Sequence, residues 1–342
     1  MDDLERYSRQ MQFAGFGEEG QRRLRASRVA LVGVGALGSV TSSLLVRAGV
    51  GELRLIDRDV VELNNLQRQM LFDEEDARTG VPKAEAARRK LAAVNSDVRL
   101  DARIADLNPD NAESLLAGVD LILDAADNFE TRYLVNDVAV KSGTPWIYAA
   151  ALGSEGRVMT VLPAETPCLR CIFPDVPRPG ESPTCESAGI LGPVVAVTAS
   201  LQSAEAMKLL AGRRDLLRQG LLAVDVWQGG FRETLASARR RPECPACGLR
   251  RFEFLEGSAS TSGVRLCGRD AVHVSPPAGA SVDLAVLAAR LDRATIALHT
   301  DFLLRFRAEG REVTVFPDGR AIVKGTTDPA VARGIYSMYI GS

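Results

Sequence analysis

A glycine-rich turn near the N-terminus limits the fold more than any other stretch of the chain. It reads Gly33-Val34-Gly35-Ala36-Leu37-Gly38 and lies between a predicted strand, Arg28 to Val32, and a predicted apolar helix. The next predicted strand, Glu52 to Asp57, ends in a carboxylate. Glycines at such a turn let the backbone approach a phosphate, and an aspartate there can accept hydrogen bonds from ribose hydroxyls. The pattern predicts a nucleotide site, but the glycines alone do not distinguish NAD from ATP.

Strands and helices continue to alternate after this turn. The pattern predicts a helix at Lys83–Val94, strands at Val98–Ile104 and Asp120–Asp124, a helix at Glu130–Lys141 and a strand from Trp146. This alternation predicts a doubly wound, Rossmann-like α/β fold with a parallel sheet. The segment 163–193 is rich in Pro, Gly and Cys, which predicts a long crossing loop, and a helix is expected after it.

The strand–helix pattern and a short polar linker divide the chain into two predicted domains. Residues 1–250 carry the alternating pattern and form the expected ATP-binding domain. A small polar linker begins at Ser258, and residues 258–342 predict a small α+β domain with two helices and three strands. The pattern assigns no role to this second domain.

Charge and residue content exclude several classes of protein. The formal net charge of the 342 residues is −2, so no broad cationic field for nucleic acid is expected. No apolar run approaches the roughly 20 residues of a membrane span, and the acidic start is unlike a signal peptide. We therefore expect a cytoplasmic protein with reduced thiols. The only histidines, His273 and His299, come late, which argues against Ser-His-Asp hydrolysis and His-based metal sites in the first 250 residues.

Charged residues beside the glycine turn favour a triphosphate over NAD. An NAD site handles its pyrophosphate mainly with backbone groups. This chain adds the cations Arg68 and Lys83, and Asp127 follows the end of a predicted parallel strand. Cations together with a carboxylate suit ATP bound with Mg²⁺.

Five motifs occur in a fixed order and carry a family resemblance. They are Arg6-Tyr7-Ser8-Arg9-Gln10, the glycine turn, Asn65-Leu66-Gln67-Arg68-Gln69, Pro82-Lys83 and Asp127-Asn128. Together they resemble the MoeB/ThiF family, relatives of the ubiquitin-activating enzymes, from about Arg6 to Gly248. The resemblance implies an adenylyltransferase that activates the C-terminal glycine of a ubiquitin-like sulfur-carrier protein, of the ThiS/MoaD type ending in Gly-Gly, and releases pyrophosphate. Transfer to a thiol and a sulfur-donor protein remain open.

The same resemblance implies roles for single residues. Asp57 would hold the ribose, Asp127 would hold Mg²⁺, and Arg9 would reach into the site of a partner subunit, which implies a homodimer. Taken alone, Arg9 reads as an exposed surface arginine. The candidate catalytic residues are Arg9, Arg68, Lys83, Asp127 and Cys185. The candidate nucleotide-binding residues are Gly33, Gly35, Gly38, Asp57, Asn65, Arg68, Gln69, Lys83, Asp127 and Asn128.

The chemistry of this reaction suits these residue types. A C-terminal carboxylate has a pKa of about 3.5, so it is already an anion at pH 7 and needs no general base. Its difficulty is the approach to a polyanionic triphosphate, which cations and Mg²⁺ ease.

Two C-x-x-C pairs predict a metal site. Cys168 and Cys171 form one pair, and Cys244 and Cys247 form the other. Four thiolates with this spacing suit a structural Zn²⁺ that joins two distant parts of the chain, and a redox pair is the alternative. Cys185 matches the position of the thiol that some members of the family use for a covalent link to the carrier, with an inert small residue as the alternative.

Three other functions remain as alternatives. An NAD-dependent oxidoreductase would leave Arg68, Lys83 and Asp127 without a role. A related ATP-dependent tRNA dehydratase is disfavoured by the net charge and the full cysteine quartet. A non-catalytic scaffold is disfavoured by the complete set of cations and carboxylates. The pathway served, whether thiamine, molybdopterin, tRNA thiolation or cysteine, is left open.

Overall fold

The computed structural model describes residues 4–175, 188–234, 240–257, 264–267, 271–274, 276 and 280–341. The chain divides into two compact units, Met1–Ala259 and Ser260–Ser342. Within the described residues, no helix is both long enough and apolar enough to cross a lipid bilayer.

The first unit is built on an eight-stranded mixed sheet in the order β3-β2-β1-β4-β5-β6-β7-β8. Its strands are β1 Arg28–Val32, β2 Glu52–Ile56, β3 Arg99–Arg103, β4 Leu121–Asp124, β5 Trp146–Leu152, β6 Glu155–Val161, β7 Leu221–Asp225 and β8 Gly230–Thr234. The strands from β3 to β5 pair in parallel, as the alternation predicts. The pairs from β5 to β8 are antiparallel, so a purely parallel sheet is wrong for this half.

The missed strands have a local explanation. β6 and β8 join their neighbours through short hairpins, and both contain polar residues and glycine. Sequences of that kind lack the continuous apolar run that marks a strand buried on both faces.

Helices cover both faces of this sheet. They are α1 Ser8–Met11, α2 Gly17–Ala26, α3 Ala36–Ala48, α4 Glu74–Thr79, α5 Lys83–Val94, α6 Ala112–Leu116, α7 Phe129–Ser142, α8 Leu169–Ile172 and α9 Gly192–Leu210. Alternate residues of β1 enter two different apolar cores, since Leu31 packs with α3, α5 and α9 and Val32 packs with α6 and α7. This two-sided burial is the doubly wound arrangement. Inside the predicted crossing loop, the short helix α8 was not foreseen.

The strand order brings three chain segments to one edge. β1 lies between β2 and β4, and all three are parallel, so their carboxyl ends share an edge of the sheet. From β1 the chain adds β2 and β3 on one side, and it then adds β4 and β5 on the other side. The boundary between β1 and β4 is therefore the topological switch point, where such sheets bind ligands. Gly33, Asp57 and the residues after Asp124 all begin at this edge.

The second unit has an antiparallel six-stranded sheet in the order β11-β12-β13-β14-β10-β9. Its elements are β9 Val264–Cys267, β10 Ala271–Val274, α10 Leu284–Arg290, β11 Ile296–His299, β12 Leu304–Ala308, β13 Arg311–Val315, β14 Ala321–Lys324 and α11 Pro329–Tyr339. Both helices and three of the strands match the predicted pattern. The strands β9, β10 and β11, of four residues each, were missed. β14 is as short, but the Pro317-Asp318-Gly319 turn before it marks it in the sequence.

Candidate nucleotide site and cysteine cluster

The glycine turn packs directly against the loop that follows β4. Gly33 has φ +90°, and a Cβ added there would lie 2.6 Å from the carbonyl oxygen of Ala125. A Cβ on Gly38 would lie 2.0 Å from the carbonyl oxygen of Gly33. Only glycine therefore allows this turn, and the turn presents the N-terminus of α3, whose capping residue is Gly35.

Asp57, just after the end of β2, stabilises the turn through hydrogen bonds. Its two carboxylate oxygens accept backbone hydrogen bonds of 2.7 Å from Val34 and Asp59. Burial raises the pKa of Asp57, while the nearby Lys83 acts to lower it. Each carboxylate oxygen can still accept a further hydrogen bond, so the residue keeps the capacity expected for a ribose ligand.

Lys83 is a buried cation at this edge. Its side chain is 8% exposed, and Nζ lies 3.2 Å from Oδ2 of Asp59. Burial acts to lower the pKa of Lys83, but Asp59, Asp57 and Asp127 together raise it above its ordinary value. The ammonium therefore stays charged at neutral pH, and the charge of Asp127 contributes to this effect.

The segment after β2 carries three polar side chains predicted for the site. Asn65 is buried, and its side-chain oxygen accepts a hydrogen bond from the backbone of Glu62. Gln69 is also buried and lies beside Gly35, with its amide nitrogen 3.7 Å from a Cβ placed there. Its Oε1 has no hydrogen-bond partner among the described residues, so it is available to accept a hydrogen bond from a ligand. Arg68 is half-buried and donates to the backbone oxygen of Asn64.

Asp127 and Asn128 form the turn between β4 and α7. Asp127 is exposed, and Asn128 Nδ2 lies 3.3 Å from its Oδ1. Asn128 also caps α7 by accepting a hydrogen bond from the backbone of Thr131 at 2.9 Å. An exposed carboxylate offers the oxygen ligands that Mg²⁺ prefers.

Sequence reasoning missed two residues that hold this turn. Asp124 Oδ1 accepts a 2.9 Å hydrogen bond from the backbone of Ala126, and Arg132 donates to the carbonyl of the same residue at 2.7 Å. Burial raises the pKa of Asp124 to about 6, against the opposing effect of Arg132. Asp124 could have been predicted, because it is a charged residue at the end of an apolar strand. The contact of Arg132 with this turn follows only from the three-dimensional structure.

Arg9 lies apart from the residues above. It is exposed on α1 and donates to Gln12 Oε1 at 3.2 Å. Its motif neighbour Tyr7 is buried against Gly49, and the Tyr7 hydroxyl accepts a hydrogen bond from Asn95. The contacts recorded for the described residues of a single chain thus do not bring Arg9 to the glycine turn.

The four cysteines of the two C-x-x-C pairs converge. Their sulfur atoms all lie within 4.8 Å of one another, and all four residues are buried. The recorded separations are 4.0 Å for Cys168–Cys171, 3.6 Å for Cys168–Cys244 and 3.3 Å for Cys171–Cys247. Tetrahedral Zn²⁺ with bonds of about 2.3 Å requires sulfur–sulfur distances of about 3.8 Å, so the cluster fits this ion.

Helix α7 holds the two chain segments that carry the cysteine pairs. Asn136 accepts a 2.9 Å hydrogen bond from the backbone of Leu169, and Asp137 accepts one of 3.0 Å from the backbone of Phe254. Burial raises the pKa of Asp137 to about 7. Cys185 lies outside the described residues.

Comparison with known proteins gives a consistent result. A family model described as the ThiF family matches residues 7–246. The chain is 41% identical to the sulfur carrier protein ThiS adenylyltransferase of Bacillus subtilis (strain 168), over 98% of this chain and 99% of that protein. It is 43% identical to a sulfur carrier protein adenylyltransferase of Thermus thermophilus, over 72% of this chain and 92% of that protein. A crystal structure of E. coli MccB with ATP is 25% identical, with a TM-score of 0.63 over 71% of this chain and 74% of that chain.

Proposed function

The chain belongs to the ThiF family, and from that membership we propose that it uses ATP to adenylylate the C-terminal glycine of a ubiquitin-like sulfur-carrier protein, releasing pyrophosphate. Relatives named as sulfur carrier protein adenylyltransferases, one of them matched along nearly the whole chain, support this activity. The observation in the molecule that carries the proposal is the buried Lys83 ammonium, which pairs with Asp59 and interacts by charge with Asp57, the residue bonded to the glycine turn, and with Asp127.

The arrangement addresses the difficulty of bringing two anions together. The carrier carboxylate is already ionised, so the site needs no base. The N-terminus of α3 would receive phosphate oxygens on backbone N–H groups, as helix N-termini commonly do. Lys83 and Arg68 would stabilise the charge that develops on the departing pyrophosphate. A low-dielectric setting strengthens the contribution of Lys83, because its side chain is almost fully buried.

Several further assignments complete the nucleotide site. Asp57 would accept hydrogen bonds from the ribose, and Gln69 would use its orphaned amide oxygen toward the nucleotide. Asp127, beside Asn128, would hold Mg²⁺, which when bound shields the phosphate charge. Asn65 would also contact phosphates. Arg9 would act in the site of a second copy, which makes the proposed enzyme a homodimer.

We assign a structural Zn²⁺ to the cysteine cluster. Four buried sulfurs fill a tetrahedral coordination sphere and leave no open position for a substrate. The ion would connect the segment around Cys168 to the segment around Cys244, at the end of the first unit. Four reduced thiols also suit a cytoplasmic protein.

A thiol step after adenylylation is a further part of the proposal. Cys185 would attack the acyl-adenylate, form a covalent link to the carrier and release AMP, before a sulfur-donor protein acts. A covalent adduct with the carrier, trapped with the parent chain and absent from Cys185→Ala, would support this step. Equal adduct in both proteins would exclude it.

The test is pyrophosphate exchange into ATP in the presence of a small carrier that ends in Gly-Gly. Asp127→Ala should lose at least about 100-fold in exchange rate, because the metal-binding carboxylate is gone. Asp110→Ala removes another exposed carboxylate of the same unit and should behave as the parent chain. Exchange retained by Asp127→Ala would overturn the Mg²⁺ assignment.

The same preparation separates the competing functions. Tight binding of NAD without exchange would indicate an oxidoreductase, and retention of tRNA at physiological salt would indicate a tRNA-modifying relative. Absence of exchange with every Gly-Gly carrier would refute adenylylation itself.

A further inference from the structure

A short backbone pairing joins the segment after β2 to the start of α5. The amide of Lys83 donates to the carbonyl of Asp59 at 2.9 Å, and the amide of Val61 donates to the carbonyl of Val81 at 3.0 Å. Val60 and Pro82 form the antiparallel bridge between these bonds. The pairing fixes the main chains of Asp59 and Lys83 opposite each other.

The side chains of the two residues are joined as well. Lys83 Nζ lies 3.2 Å from Asp59 Oδ2, with the lysine side chain 8% exposed and the aspartate side chain 40% exposed. The second carboxylate oxygen, Oδ1, lies 3.7 Å from Nε of Arg58. Asp59 is therefore held between two cations, with one face open to solvent.

Of the carboxylates that influence Lys83, Asp59 is the one that orients its ammonium group. Asp57 points both of its oxygens at backbone amides. Asp127 acts on Lys83 through its charge, while Asp59 alone among the described residues accepts a recorded hydrogen bond from the ammonium. A lysine has a flexible four-carbon stem and three rotatable donors, so a directed acceptor is needed to fix its position.

We propose that Asp59 is a positioning residue for the reaction: it holds the Lys83 ammonium at the place where charge develops on the triphosphate. This inference rests on the proposed function. Nothing in the motifs quoted for the family resemblance assigns a role to Asp59. Its carboxylate also adds one negative charge to a site that must accept a polyanion, so it opposes ATP binding while it orients the lysine.

The two effects separate in steady-state kinetics. Asp59→Asn removes the charge but keeps the size of the side chain. We expect kcat to fall about tenfold, because a neutral amide oxygen holds the Lys83 ammonium more weakly than a carboxylate does. The KM for ATP should stay level or fall, because a repelling charge is gone. A residue needed only for folding would not lower kcat while leaving the KM for ATP level or lower.

The experiment compares pyrophosphate exchange by the parent chain, Asp59→Asn, Asp59→Glu and the control Asp101→Asn. Asp101 forms an ion pair with Arg54 on the neighbouring strand, so its variant removes a carboxylate without touching Lys83. Asp59→Glu restores a negatively charged acceptor and should recover kcat to within about threefold of the parent. Should Asp59→Asn fail to give a cooperative thermal transition, Asp59→Ser carries the same expectation.

Three results would overturn the inference. They are a kcat for Asp59→Asn equal to that of Asp101→Asn, equal loss of kcat in Asp59→Asn and Asp59→Glu, or a raised KM for ATP with kcat unchanged. A parent chain that shows no exchange refutes the proposed function instead, so the two failures are distinguishable.

Discussion

Replacing Cys244 with serine should remove the proposed zinc and destabilise the first unit. The ion would cross-link segments that are 76 residues apart, since Cys168 and Cys244 are separated by that distance in sequence. Chain-entropy arguments for a cross-link of this loop length give about 4.5 kcal/mol of stabilisation at 25 °C. For a unit of this size, a loss of that order lowers the thermal midpoint by roughly 10 °C or more. All four sulfurs are buried, so removing one leaves the others without the geometry that zinc needs.

The assay measures metal by elemental analysis and unfolding by circular dichroism on the same preparations. We expect one zinc per chain in the parent protein and none in Cys244→Ser, with a matching fall in the thermal midpoint. Cys185→Ser is the matched control, because it changes a cysteine outside the four and should retain both zinc and stability. A purified parent chain without zinc, or a Cys244→Ser variant that unfolds at the parent temperature, would refute the reasoning.

Two further changes test the glycine turn and a buried carboxyl group. Gly33→Ala should lose about 3 kcal/mol of unfolding free energy, measured by denaturant titration, because of the strain of a positive φ and the clash with the Ala125 carbonyl. The control is Gly35→Ala, whose added Cβ meets only Gln69 at 3.7 Å and which should stay folded. Equal stability of the two variants would contradict this account. The pKa of Asp137 is raised to about 7 from an ordinary 3.8, so the folded state binds the proton more tightly. The unfolding free energy should therefore fall by about 3 kcal/mol as pH rises from 4 to 7. Asp137→Asn should flatten that slope, and an unchanged slope would show that another group causes it.

Much of the candidate site can be predicted from short segments of the sequence. The glycine turn, Asp57 at the end of its strand, Lys83 at the start of α5 and the two C-x-x-C pairs each depend on neighbouring residues. The positive φ of Gly33 favours glycine through local sterics alone, whereas its close approach to the Ala125 carbonyl is a tertiary contact. The parallel half of the sheet follows from the regular alternation of strands and helices.

Other features depend on residues that are far apart in sequence. The antiparallel strands β6 and β8 are stabilised by pairing with β5 and β7, and their own sequences give little indication of it. The convergence of the cysteine sulfurs, the hydrogen bond from Lys83 to Asp59 and the orphaned oxygen of Gln69 all arise from tertiary packing.

The amino-acid sequence alone determined which chemical groups this protein has for nucleotide and metal binding, because backbone sterics and motif spacing act over a few residues. Only the tertiary structure decided which of those groups face one another. Strand order and side-chain direction result from the burial of apolar surface over the whole unit, and that free energy is shared among residues that no local pattern connects.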